Sequence, residues 1–146
     1  MTLLLETHPN TGADTTEATG ELLAAVDHPA LKVNLDVLHI WEAGEDPVRA
    51  WRTLAPQVQH LHLKNIRHRQ YLPEFAPDNV YSAAGSRAGM VPLFEGACDF
   101  AHFLNSLPDG RVHSASLEWF GPAPFEVIAR DSQQILRLQT ERLCHA

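Results

Sequence analysis

Four times along this chain a short apolar run is followed by a segment with helical spacing. Alternation of this kind leaves little choice of architecture. Strands that recur after helical crossovers lie parallel, and the helices cover the sheet they cross. The first run is Thr2–Thr7 (TLLLET), and a helix is expected over Thr15–Val26 with Asp14 as its N-cap. Leu31–Val37 (LKVNLDV) is the second strand. Asp46 then caps a helix that has Pro47 in its first position and runs until Pro56 disturbs it. Val58–Lys64 (VQHLHLK) is the third strand. The stretch 65–96 is too long for an idle connection; with Tyr71, Tyr81, Arg87 and several glycines it reads as a folded active-site loop. Asp99–Leu107 is a short helix closed by the turn Pro108-Asp109-Gly110. Val112–Glu118 (VHSASLE) is the fourth strand, and the spacing of Val127, Ile128, Ile135, Leu136 and Leu138 predicts a last helix over Phe125–Leu143. Nothing in composition marks a domain boundary, so residues 1–146 are expected to form one α/β domain of four parallel βα units.

Each expected strand closes on a residue able to hold a metal ion. The first ends with Glu6 and His8, and the second with Asp36, followed by His39. The third carries His62 and Lys64, with His60 on the same face by two-residue alternation, and the fourth ends in Glu118. In parallel α/β proteins ligands bind beyond the carboxyl ends of the strands. Four such ends meeting would bring Glu6, Asp36, His62 and Glu118 together. Three carboxylates and an imidazole make a hard, oxygen-rich site suited to Mn²⁺, Mg²⁺ or Co²⁺ rather than to structural zinc.

Taken singly, each residue has a plainer reading. A strand-end carboxylate is commonly a solvated terminus, and a lone histidine on an apolar strand is commonly a packed, satisfied core residue. His28, His68, His102, His113 and His145 are assigned to that packed class, and His60 is left undecided. Lys64 alone reads equally as a surface lysine. What favours a shared site is recurrence at the same end of all four strands. Trp51 fits a helix face and reads as core, whereas Trp41 and Trp119 follow site residues and either wall a pocket or pack.

Charge narrows the function. The net charge is −7 and the eleven Lys and Arg residues are scattered, which argues against a nucleic-acid surface. No apolar stretch has the length of a membrane helix, and Leu3–Leu5 is too short for a signal peptide core. A cytoplasmic protein is expected, with Cys98 and Cys144 as two free thiols.

The stretches LLLETHPN, VNLDVLHIWEAGEDP, HLHLKN, NVYSAAGSRAGMVPLFEG and ASLEWFG together resemble the xylose-isomerase-like TIM-barrel superfamily. Within it they resemble the bacterial 3-dehydroshikimate dehydratases of the petrobactin-siderophore type. The resemblance runs to about Gly121. It puts Glu6, Asp36, His62 and Glu118 on the family's metal ligands and His8, His39 and Lys64 on its active-site polar positions. Arg87 lies in the matching loop as a substrate-binding candidate. The implied reaction is loss of water from 3-dehydroshikimate to give protocatechuate, with His8 as base, His39 assisting proton transfer or orientation and Lys64 meeting the substrate carboxylate or polarising an oxygen. Imidazole suits such work because its ordinary pKa lies near neutrality. The resemblance also implies that the chain is the C-terminal half of a (β/α)8 barrel, starting at the fifth strand. Met1 then reads as an internal start, a truncation or the start of a separately encoded half, and the open edge of such a half implies a homodimer, a complex with a missing N-terminal half or an unstable fragment. Two other readings compete. One is a sugar isomerase or epimerase of the same superfamily, and the other is a non-catalytic half-barrel that binds a partner. A DNA-repair role is disfavoured by the charge.

Overall fold

The computed structural model describes residues 1–108 and 114–145, with side chains through Glu141. In chain order the elements are β1 (Leu3–Glu6), α1 (Thr16–Val26), β2 (Leu31–Asp36), α2 (Val37–Glu42), α3 (Pro47–Leu54), β3 (Val58–Leu63), β4 (Asn65–Ile66), α4 (Pro77–Val80), β5 (Met90–Val91), α5 (Phe100–Asn105), β6 (Ser114–Leu117) and α6 (Pro124–His145). Two 3₁₀ turns, Arg69–Phe75 and Leu93–Glu95, flank α4 and β5. The chain divides into two compact units, Met1–Leu63 with Leu107–Ser116, and Lys64–Ser106 with Leu117–Ala146. Among the described residues no helix is long and apolar enough to cross a membrane.

In the first unit the sheet runs β1-β2-β3-β6. β1 pairs parallel with β2, and β2 parallel with β3. Register decides which side chains share a face, because successive residues of a strand point to opposite sides. Leu5 lies opposite Val33, and Leu35 opposite Leu61. This face is buried at Val33, Leu35, Leu61 and Leu63, and Val37, Leu38 and Ile40 of α2 with Val48, Trp51 and Leu54 of α3 complete the core. The other face is polar: Glu6 lies opposite Asn34, Asn34 opposite His60, and Asp36 opposite His62.

β3 needs an irregularity to achieve this. Its apolar residues fall at 58, 61 and 63, and three-residue spacing cannot keep Val58 and Leu61 on one face of a regular strand. The ladder absorbs the mismatch: Val33 pairs with Val58 but Asn34 pairs with His60, so Gln59 is bulged. The bulge lets Val58, Leu61 and Leu63 all face the core while His60 and His62 share the polar face.

The helix starts follow from local chemistry, with one correction. α1 is capped by Thr15, whose Oγ1 accepts the Ala18 N–H at 3.1 Å, and not by the expected Asp14. Asp and Thr both cap well, so sequence alone does not choose between neighbours. Asp46 caps α3 as expected, accepting the Val48 N–H at 2.9 Å, with Pro47 at the first position. The expected second strand gives up Val37, which begins α2.

The second unit contains the expected loop, and it is folded. β4 and β5 pair antiparallel. Buried polar side chains hold the loop together. Asn65 donates from Nδ2 to the carbonyls of Leu93 (2.6 Å) and Cys98 (2.8 Å), and its Oδ1 accepts the Ile66 and Cys98 N–H groups. Gly96 is required beside it, since a Cβ there would fall 2.2 Å from Asn65 Oδ1. Glu74 accepts from Ser86 Oγ at 2.7 Å and from the Gly89 N–H at 2.9 Å. Asp131 of α6 accepts the Leu93 N–H at 2.8 Å. Phe100 and Phe103 of α5 are buried, and α5 packs on α6. Cys98 is buried. Asp109 and Gly110 of the expected turn, Val112 and His113 of the expected fourth strand, and the Cys144 and His145 side chains lie outside the described residues.

Leu61 is buried at the centre of the first unit. Leu61→Ala should cost about 2–5 kcal/mol of stability, read as a lower urea midpoint. Burial pushes the Asp131 carboxyl above its ordinary value of 3.8, against the opposing pull of the Leu93 N–H and the Arg130 guanidinium. The folded state therefore binds this proton more tightly than the unfolded chain does. That contribution is present below 3.8 and is lost as pH rises through the folded-state pKa. Asp131→Asn keeps an acceptor for Leu93 without the buried charge. Relative to the parent it should gain stability on going from acidic to neutral pH, measured by denaturation at both.

Candidate metal and proton-transfer site

Asp36 is the last residue of β2 and the N-cap of α2, and it is fully buried. Its Oδ1 accepts the His39 N–H at 3.1 Å, and its own N–H donates to Thr7 Oγ1 at 2.8 Å. Its Oδ2 faces two imidazoles, 3.9 Å from His62 Nδ1 and 3.6 Å from His39 Nε2. His62 Nδ1 also lies 2.7 Å from Glu6 Oε1. Glu6, Asp36 and His62 each offer a ligand atom, all within 4.8 Å of one another. Two carboxylates and one imidazole at that spacing fit a divalent cation that accepts mixed oxygen and nitrogen donors.

Beside this group stands a histidine pair. His8 and His39 have ring centroids 4.6 Å apart, tilted by 53°. The loop after β1 positions His8: its N–H donates to the Ala13 carbonyl, and its own carbonyl accepts from Thr11 Oγ1 at 2.7 Å. Its Nδ1 lies 3.0 Å from the Pro9 carbonyl, which can only accept, so Nδ1 carries the proton and Nε2 keeps the lone pair in the neutral ring.

The remaining sequence-predicted residues fall as follows. His60 is bonded at both ring nitrogens, Nδ1 to Ser114 Oγ (2.7 Å) and Nε2 to Ser116 Oγ (2.9 Å), which removes it from the ligand set. Lys64 is not a surface lysine. It is 7% exposed, with Nζ 2.6 Å from Glu118 Oε2 and 5.2 Å above the Phe75 ring, all within the second unit. Arg87 commits its five donors to five backbone carbonyls, those of Asn79, Val80, Ser82, Ser86 and Phe120. That geometry makes it a clamp on its own loop. Trp51 is core, and Trp119 donates from Nε1 to the Pro122 carbonyl at 2.8 Å, lying against Gly121. His28, His68 and His102 are exposed and not packed. The first two accept backbone N–H groups two residues on, at Ala30 and Gln70. They are turn residues, which hydrophobic pattern does not separate from core.

Sequence reasoning missed Thr7 and Glu42. Thr7 is buried against the Asp36 backbone. Glu42 Oε2 lies 2.9 Å from His39 Nδ1, a pairing hidden while the segment after Asp36 was not recognised as helix. A separate groove of about 870 Å³ between α1 and α3, lined by Thr16, Glu45 and Arg49 among others, contains none of these site residues.

Known proteins resemble this chain in sequence and fold. The chain is 57% identical over 121 residues to the 3-dehydroshikimate dehydratase of Bacillus anthracis, covering 83% of this chain and 43% of that protein. The crystal structure of the probable 3-DHS dehydratase AsbF, involved in petrobactin synthesis in the same organism, superposes with a TM-score of 0.87 at 52% identity. It covers 91% of this chain and 48% of that one. A xylose isomerase-like TIM barrel protein from Mycobacterium smegmatis, in complex with magnesium, superposes at 0.69 with 21% identity over 97% of this chain and 44% of that one. The chain thus spans less than half the length of the relatives it matches. The xylose isomerase-like TIM barrel family matches residues 1–139, and this chain, whose parallel strands end in a carboxylate–imidazole group, belongs to that family.

Proposed function

We propose that this chain carries metal-binding and proton-transfer residues for the dehydration of 3-dehydroshikimate to protocatechuate. The observation that carries the reading is the meeting of Glu6, Asp36 and His62 beside the His8–His39 pair. Identity to the B. anthracis dehydratase supplies the substrate class. The oxygen-rich donor set favours a hard divalent cation, Mn²⁺, Mg²⁺ or Co²⁺, held by Glu6, Asp36 and His62. Glu118 is the proposed fourth ligand on its place at the end of the fourth strand. The bound cation supplies positive charge next to the oxygen on which negative charge develops.

The chain's own groups do the rest. His8 Nε2, with its lone pair held free by the Nδ1 bond to Pro9, takes the proton from the carbon next to the ketone. The electron pair moves toward the carbonyl, and the proton taken by His8 is passed through His39 Nε2 to the β-hydroxyl, which leaves as water. Loss of that water forms the second ring double bond, and enolisation completes the aromatic product. Lys64 is proposed to meet the substrate carboxylate. Arg87, proposed from its loop as a substrate contact, is assigned here to holding that loop.

The decisive assay supplies the purified chain with Mn²⁺ and 3-dehydroshikimate and follows protocatechuate by absorbance. Chelator-sensitive product is expected; a chain that binds Mn²⁺ yet forms no product would overturn the assignment. His8→Ala should abolish turnover while calorimetry finds Mn²⁺ affinity unchanged. Glu6→Gln should weaken Mn²⁺ binding about tenfold or more, equivalent to about 1.4 kcal/mol. Arg87→Lys cannot replace the five-carbonyl clamp, so it should speed proteolysis within 79–87 and leave Mn²⁺ binding intact.

A further inference from the structure

His39 is 4% exposed, and its ring lies between two carboxylates. Nδ1 is 2.9 Å from Glu42 Oε2, and Nε2 is 3.6 Å from Asp36 Oδ2. Glu42 follows His39 by three residues on α2, the spacing that brings two side chains onto one helix face. A carboxylate oxygen only accepts, so Nδ1 is the donor of this bond. Nε2 is then left buried without a hydrogen-bond partner among the described residues. A buried polar atom without a partner is costly and is retained where it has work to do. This one points toward Asp36, with the His8 ring alongside.

We infer that Glu42 is a positioning residue for His39. It holds the Nδ1–H tautomer, sets the ring plane and so presents Nε2 as the nitrogen that exchanges a proton. Rotation of the ring would withdraw Nδ1–H from its acceptor inside a nearly closed pocket. Carboxylates that orient metal-ligating imidazoles in this way commonly change affinity or activity about 10–100-fold when removed, and a loss on that scale is expected for this ring. The inference rests on the reading of His39 as a proton-transfer group. An ordinary helix ion pair would instead contribute only to stability, by a few tenths of a kcal/mol.

The first test needs no turnover. In the ¹⁵N-labelled chain at mildly alkaline pH, long-range ¹H–¹⁵N correlations report which nitrogen of His39 is protonated. The parent and Glu42→Gln, whose amide oxygen still accepts, should show the Nδ1–H tautomer, and Glu42→Ala should lose it. A parent ring in any other state, or a Glu42→Ala ring unchanged from the parent, overturns the inference. The second test uses the dehydration assay. Glu42→Ala should lower kcat about 10–100-fold with KM and Mn²⁺ affinity unchanged, and Glu42→Gln should recover most of the loss. A Glu42→Ala chain that is merely less stable, with kcat intact, reduces Glu42 to a helix ion pair and overturns the inference. An inactive parent would overturn the assigned reaction, while the tautomer spectrum would still decide the Glu42–His39 geometry.

Discussion

A carboxylate taken fully out of water must be given partners, and Asp36 is that carboxylate here. Its Oδ1 takes the His39 N–H at the first turn of α2, its Oδ2 faces the imidazole rings of His62 and His39, and its backbone N–H is held by Thr7 Oγ1. The same residue therefore ends β2, starts α2 and anchors the candidate metal group. The helix it caps brings His39 back over its own capping carboxylate and Glu42 to the far side of the ring. A local requirement for hydrogen bonding thus becomes the geometry of the site.

The sheet around Asp36 separates packing from chemistry by alternation. Val33, Leu35, Leu61 and Leu63 take one face, and Glu6, Asn34, Asp36, His60 and His62 the other. The bulge at Gln59 reconciles the two demands on β3. Without the extra residue, either Val58 would leave the core or both histidines would leave the polar face. His60 shows that sharing the face does not make a ligand, since two serine hydroxyls occupy its nitrogens.

The second unit is built differently. Apart from α6 its regular elements are short, and buried polar side chains do much of the cross-linking, with Asn65, Glu74 and Asp131 each bonded to backbone far along the chain. Lys64 and Glu118 form a partly buried ion pair over Phe75 within this unit. Arg87 was legible as a cation in a functional loop, but its five carbonyl partners were not. A side chain's charge is written in the sequence, whereas its hydrogen-bond partners depend on how the loop turns back on itself.

Sequence alone determined the order of the four main strands and of α1, α3, α5 and α6 between and after them, the Asp46–Pro47 helix start and the placement of Glu6, Asp36 and His62 toward strand ends, because periodicity and capping are local properties. It did not choose Thr15 over Asp14 as a cap, since adjacent residues of similar capping power are separated only by backbone geometry. It took surface histidines for packed ones, since burial is not a local property. Only the tertiary structure decided that Glu6, Asp36 and His62 meet, that Gln59 bulges, that Lys64 is buried and that Glu42 holds His39. Those outcomes depend on strand register and ring orientation, which are set by contacts between residues far apart in the chain or by a helix whose start is itself a buried carboxylate.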